Sequence, residues 1–360
     1  MNIFKFRKIS NELIDLTRDS FEEVQAHYKK VPTRIKKRSI LFLGTGQGTH
    51  NIASRGKASL PSYRLVSGPI ISNHKSSIWI DPGPDCLSAM NTINFEPRYI
   101  DAIFLSHAHT DHIGNVLGAV ELITGATEIK RKKFLYGNKT SIHGAEDVPS
   151  VIGDYHSKKI LKHVQSLDVG DIIDLEDIKI EAIPCYHRET AYSNFSLNWK
   201  IEFLGAHAII SYVDGNIFIP RPDGDPSERI YDDVIYGCKG SNLLIVNVAN
   251  HVRMRLSKQN YPSTAGLLEL IKKLEPRVVF TTHFGIEMMN PNIIEKQLLK
   301  KYGFRNLIEF QTAYIQAEID EREIDCTIVP ALDFLEVSFK SNKIVLTHFD
   351  KIIKEIKLMK

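Results

Sequence analysis

The run His107-Ala108-His109-Thr110-Asp111-His112 constrains this chain more than any other stretch, because it sets four metal-ligand side chains directly behind the apolar strand Ile100-Asp-Ala-Ile-Phe-Leu-Ser106. On a strand end, residues two apart project to one side. His107 and His109 therefore share a face, while Asp111 and His112 follow in a tight turn that brings two further donors to the same point. Three imidazoles and a carboxylate held so close are costly without a cation. Nitrogen and carboxylate donors suit Zn2+ at about 2.0–2.2 Å, and a set without cysteine also accepts Mn2+ or Fe. A solvated loop with chance histidines does not account for spacing this dense in a strand-to-helix context.

Composition sets the frame around that point. With 360 residues, 43% of them hydrophobic, the chain can bury a full core. Length alone permits two domains, but one large layered α/β domain with short appendages is expected. A formal net charge of +3 is compatible with an anionic substrate and too mild to indicate a nucleic-acid partner by itself. Cys86, Cys185, Cys238 and Cys326 form no CxxC pair, which argues against a zinc knuckle or a dense disulfide framework and fits a reducing cytoplasm. The first residues lack an apolar h-region, and no stretch reaches the roughly 18 apolar residues of a membrane span. A cytoplasmic protein with no membrane partner is expected, with a homodimer left open.

Residues 1–37 are polar, with Ser20 and Glu23 at capping-box spacing ahead of Phe21, Val24 and Tyr28. They read as an N-terminal helical appendage, either packed on the main domain or serving as a partner arm. The main domain, 38–337, opens with a strand over Ser39–Gly44 and the glycine turn Gly44-Thr-Gly46-Gln-Gly48. Further strands are expected at 77–81, 100–106, 134–136, 178–183, 208–213, 243–248 and 278–281, and helices around 157–166, 264–274 and 291–302. Strands with intervening helices point to two sheets covered by helices. The tail, 338–360, reads as a strand plus an amphipathic helix on whose one face lie Phe349, Ile352, Ile353 and Ile356. The run Lys130-Arg-Lys-Lys133 reads as a solvated basic face, or as a guide for a polyanion.

The histidine run, followed by Ile113-Gly114, resembles the HxHxDH signature of the metallo-β-lactamase superfamily, and the resemblance extends over about residues 39–335. It implies a four-layer αββα sandwich, an α/β (α+β) fold. It also implies site residues at matching strand ends. Asp81 resembles the family's upstream aspartate that supports the ligand loop, His187 its next histidine, Asp214 its metal-bridging aspartate and His283 its last histidine. The resemblance then gives two divalent ions, one on His107, His109 and His187 and the other on Asp111, His112 and His283, with Asp214 between them. Such a pair, about 3.5–4 Å apart, shares a bridging hydroxide that is nucleophilic at neutral pH. Asp214-Gly-Asn also reads as a hairpin turn, so the bridge remains one of two readings there.

The start Phe42-Leu-Gly44-Thr-Gly46 is similar to the branch holding the tRNA 3′-processing endonucleases and the phosphoribosyl cyclic phosphodiesterase. That implies a hydrolase acting on an anionic phosphodiester, either a small nucleotide-like molecule or nucleic acid, with Asp111 in the catalytic centre. Thioester, lactone or amide hydrolysis and a non-catalytic metal-binding role stay as alternatives. The branch has a histidine ahead of a Ser-Thr pair; here the stretch reads Tyr261-Pro262-Ser263-Thr264, without it. His251 is the substitute candidate for protonating the leaving group. Arg188, Arg221 and Arg253, with Arg255, follow site-edge residues and are candidates for phosphate contacts, against a reading as ordinary surface charge. The glycine turn reads as a tight structural turn, with a phosphate loop as the weaker alternative.

Overall fold

A computed structural model describes residues 37–47, 64–125, 133–144, 150–153, 160–187, 196–206, 208–220, 226–248, 264–289, 293–341, 343–349 and 351–357. The first sheet starts with β1 (Ser39–Phe42), β2 (Pro69–Asn73), β3 (Ser76–Ile80), β4 (Ala102–Leu105), β5 (Phe134–Gly137) and β6 (His163–Ser166). The second holds β7 (Ile172–Leu175), β8 (Ile178–Pro184), β9 (Leu197–Phe203), β10 (Ala208–Val213), β13 (Leu243–Asn247), β14 (Val278–Thr282) and β15 (Thr327–Pro330); β11 (Phe218–Pro220) and β12 (Pro226–Ile230) form a separate two-stranded ribbon. The chain then returns to the first sheet through β16 (Leu335–Lys340), β17 (Lys343–His348) and β18 (Lys351–Lys357), giving the order β18-β17-β16-β1-β2-β3-β4-β5-β6 beside β15-β14-β13-β10-β9-β8-β7.

Three apolar clusters account for four layers. Between the sheets lie Phe42, Phe104, Trp199, Phe203 and Phe280, all fully buried. Outside the second sheet, Val246, Val279 and Ile328 pack under the helices Thr264–Leu274 and Leu307–Glu321. Outside the first, Trp79, Ile103 and Leu135 pack under Cys86–Thr92 and Val116–Thr124. Strands buried on both faces read as continuous apolar runs, which is why Leu243-Leu-Ile-Val and Val278-Val-Phe stand out in the sequence. Each large apolar side chain so buried contributes about 1.5–3 kcal/mol.

Direction of the strands places the site. β3, β4 and β5 run parallel, as do β10, β13, β14 and β15, while β9 lies antiparallel between β8 and β10. The carboxyl ends of β3, β4, β8, β10, β13 and β14 therefore open on one edge of the sandwich.

Three sequence expectations are corrected. Residues 351–357 form an edge strand, not a helix, and the boundary at 337/338 falls inside β16, so the tail extends the first sheet. A register shift opposite Leu346/Thr347 leaves Ile353 as an extra residue, which breaks the period-two alternation and leaves the apolar spacing looking helical. His163–Ser166, placed in a helix over 157–166, pairs in parallel with β5, pairing that overrides local periodicity. Lys133, read with a solvated basic face, is buried and donates from Nζ to the carbonyls of Arg98 (2.8 Å) and Ile100 (2.5 Å), capping the turn Pro97–Tyr99. The remaining basic residues of that run and residues 1–36 of the N-terminal appendage lie outside the described residues. Among the described residues no helix is long and apolar enough to cross a membrane.

Candidate metal centre

Seven side chains singled out in the sequence converge on that edge. His107 follows β4, and His109, Asp111 and His112 continue into the short helix Thr110–Ile113. His187, Asp214 and His283 follow β8, β10 and β14. His107 Nε2, His109 Nδ1 and His187 Nε2 stand 3.1 and 3.0 Å from their neighbours. Across from them, His283 Nε2 lies 3.0 Å from His112 Nε2 and 3.1 Å from Asp111 Oδ2. Asp214 lies between the two groups: its Oδ1 is 3.2 Å from His187 Nδ1, and its Oδ2 is 3.9 Å from His112 Nε2. Within each of the sets His107/His109/His187, His107/His112/Asp214 and Asp111/His112/His283, one donor atom per residue lies within 4.8 Å of the others.

These donors fit cations. Three nitrogens about 2.0–2.1 Å from one tetrahedral ion stand about 3.3 Å apart, close to the spacing found. The chemistry of the groups agrees. Burial, reinforced by the neighbouring His187 and His112, lowers His109 to about 4, and burial with the same neighbours lowers His107 well below its usual range, so both present lone pairs. For His112 burial works in the same direction, but the carboxylates of Asp111 and Asp81 outweigh it and push the imidazole up to about 9. Burial opposes ionisation of Asp111 and Asp214, yet the surrounding histidines hold both well below the usual carboxylate range. Anionic oxygen and neutral nitrogen are the forms that bind divalent metal, so four of these five groups are ready and His112 gives up its proton when an ion binds.

Asp81 orients the ligand run. Its Oδ1 accepts from the Ser106 backbone N–H (2.7 Å), and its Oδ2 accepts from Ser106 Oγ (2.6 Å) and His112 Nδ1 (2.9 Å). Fixing Nδ1 in this way turns His112 Nε2 toward the centre. Asp81 and His283 both have left-handed backbones, φ 50° and 62°. Such conformations cost about 1–3 kcal/mol each and persist where surroundings over-determine them. Here Phe284 donates from N to the Thr45 carbonyl (2.8 Å) and accepts from the Gln47 N–H (3.1 Å), clamping the chain beside His283.

That clamp decides the glycine turn. A Cβ on Gly44 would meet the Leu65 carbonyl oxygen at 2.3 Å, and one on Gly46 the Arg64 carbonyl oxygen at 2.7 Å. The N–H groups of Gly46 and Gln47 are already spent on Leu65 and Phe284. The turn is a structural close approach. Nor does Asp214-Gly-Asn close a hairpin, since β10 pairs with β9 and β13, while β11 pairs with β12.

His251, Arg188, Arg221, Arg253 and Arg255 lie outside the described residues. Several supporting residues escaped the sequence reading: Ser106, Tyr212, Asn247, Asn198, whose Oδ1 accepts from the Asp214 N–H (2.6 Å), and Ser196, whose Oγ donates to the His187 carbonyl (2.7 Å). A signal existed for two of them. Tyr212 stands two residues before Asp214, near the end of the strand that leads to it, and Asn247 is a polar residue at the end of an apolar run.

Comparison with known proteins agrees with this geometry. Residues 70–187 match the model of the metallo-beta-lactamase superfamily. An uncharacterised protein, MJ1374, of Methanocaldococcus jannaschii is 26% identical over 266 residues, covering 73% of this chain and 89% of that protein. The metallo-beta-lactamase fold protein YhfI from Bacillus subtilis superposes with a TM-score of 0.55 at 13% identity, over 83% of this chain and 98% of its own. The short form of human tRNase Z gives 0.51 at 15% identity, over 84% and 99%. The chain has the metallo-β-lactamase fold, and residues 70–187, which hold the histidine run, match that superfamily's model.

Proposed function

We propose that this chain is a binuclear metal-dependent phosphodiesterase acting on a nucleotide-like or nucleic-acid phosphodiester. One observation carries the reading: two donor triads stand side by side, the second includes the oxygen of Asp111, and Asp214 reaches both. When bound, a pair of divalent ions, Zn2+ or alternatively Mn2+ or Fe, supplies a water acidified toward neutral pH and charge stabilisation for an in-line displacement at phosphorus. The protein's own part is positional. Asp81 fixes the His112 imidazole, Asp214 separates the triads at a set distance, and buried strands hold both against rearrangement. That the fold is shared with a protein named tRNase Z supports a phosphodiester over an acyl substrate.

In this reading His251 is the candidate donor to the leaving group, and Arg188, Arg221 and Arg253 are the candidates for binding phosphate oxygens. Replacing His251 by Gln should slow an alkyl phosphodiester about 10²-fold or more while sparing p-nitrophenyl esters, whose leaving group needs no proton. The reading itself is tested with bis(p-nitrophenyl) phosphate, an acyl thioester and a lactone, each with the metal-loaded protein. Phosphodiester turnover well above that of free metal is expected. Turnover at the metal-only background, with thioester or lactone cleaved, would replace this reading by the acyl one.

A further inference from the structure

Each proposed ion draws donors from both sheets. His107 and His109 follow β4 in the first sheet, whereas His187 follows β8 in the second; Asp111 and His112 belong to the first side, whereas His283 follows β14 in the second. The gap between the sheets at this edge therefore sets the gap between donors.

A line of side-chain hydrogen bonds crosses that gap at the floor of the site. The Tyr212 hydroxyl, from β10, donates to Asp81 Oδ2 (3.2 Å) beyond the end of β3, and accepts from Asn247 Nδ2 (3.0 Å), on β13. The same amide nitrogen donates to Asp214 Oδ2 (3.2 Å). All four side chains are buried. An amide nitrogen has two hydrogens and a phenol one, so the three bonds have a single consistent direction, from Asn247 outward to Asp214 and through Tyr212 to Asp81. The carboxylate that orients His112 and Ser106 is thus linked to the carboxylate standing between the triads, through two residues that belong to neither triad.

We propose that Tyr212 and Asn247 form an inter-sheet spacer that fixes the separation of the Asp81-held and Asp214-held halves of the metal centre. Both are positioning residues. The inference rests on the two-ion reading of the site and is independent of the substrate. A rigid aromatic ring carrying one hydroxyl suits the task, because it transmits position without adding a competing ligand or a charge.

The test is metal binding. Metal-free wild type, Tyr212→Phe, Asn247→Ala and the double variant are titrated with Zn2+ by calorimetry and with Co2+ by visible absorption, with thermal melting of each metal-free protein as the folding control. The spacer predicts that Tyr212→Phe keeps a two-ion stoichiometry, binds about tenfold more weakly and shows an altered Co2+ spectrum. Because both residues act through one line, the double variant should lose about as much as the weaker-binding single variant, not the product of the two losses. Wild-type affinity and spectrum in Tyr212→Phe, or multiplied losses in the double variant, would overturn the proposal. If Tyr212→Phe does not fold, unchanged affinity in Asn247→Ala overturns it alone. No substrate enters this assay, so a wild type that binds two ions yet cleaves no phosphodiester would sink the functional reading and leave the spacer standing.

Discussion

The two halves of the candidate metal centre are built differently. The first sheet supplies His107, His109, Asp111 and His112 from six consecutive residues, and one carboxylate, Asp81, holds the segment through Ser106 and His112. The second sheet supplies His187, Asp214 and His283 singly, from three strand ends. Each of these has its own neutral support: Ser196 on the His187 carbonyl, Asn198 on the Asp214 amide and the Thr45 carbonyl on the amide after His283. Local chain geometry sets the first half, and strand register sets the second. Damage should accordingly spread through the clustered half from one point and, the Asn247–Tyr212 line apart, stay with the single donor whose support is removed in the scattered half.

Chelation is the widest test of that contrast, since it removes what both halves share: activity should fall to background and return with Zn2+ or Mn2+, as measured by phosphodiester turnover after dialysis against a chelator. Asp214→Ala comes next. It should cost more turnover than the ~10–100-fold that residues behind a ligand are worth, with circular dichroism unchanged. Unaltered turnover would move the bridging role to another carboxylate. Asp81→Asn follows, and calorimetry should find metal affinity lowered about 10–100-fold, most for the ion on Asp111, His112 and His283. Ser196→Ala, its counterpart on the scattered side, removes one neutral hydrogen bond worth about 1 kcal/mol and should weaken only the ion on His187, by several-fold. A loss as large as that of Asp81→Asn would erase the distinction. The smallest effect is expected far from both halves: Ile353→Lys on the exposed edge strand should leave turnover unchanged and thermal stability within about 0.5 kcal/mol.

The same contrast explains what could be read from the sequence. The clustered half was legible because ligand spacing and strand alternation are local properties, and the scattered donors because each closes an apolar strand at a residue the superfamily resemblance points to. What register assembles was not legible. Tyr212 meets Asp81 across 131 positions of chain, and Asn247 meets Asp214 across 33, and nothing local announces either partner. The fold's layers followed from apolar runs, yet the tail did not, because one bulge residue, Ile353, turned a strand's alternation into apparent helical spacing. Lys133 failed for a related reason: the carbonyls of Arg98 and Ile100 and the carboxylate of Asp101, all more than thirty residues earlier, make its burial tolerable.

Anomalous scattering from crystals grown with Zn2+ tests the central claim most directly. The account predicts two peaks, one within ligand distance of His107, His109 and His187 and the other of Asp111, His112 and His283, with Asp214 touching both. A single peak, or a well-ordered site in which these side chains turn away from any bound metal, would contradict it.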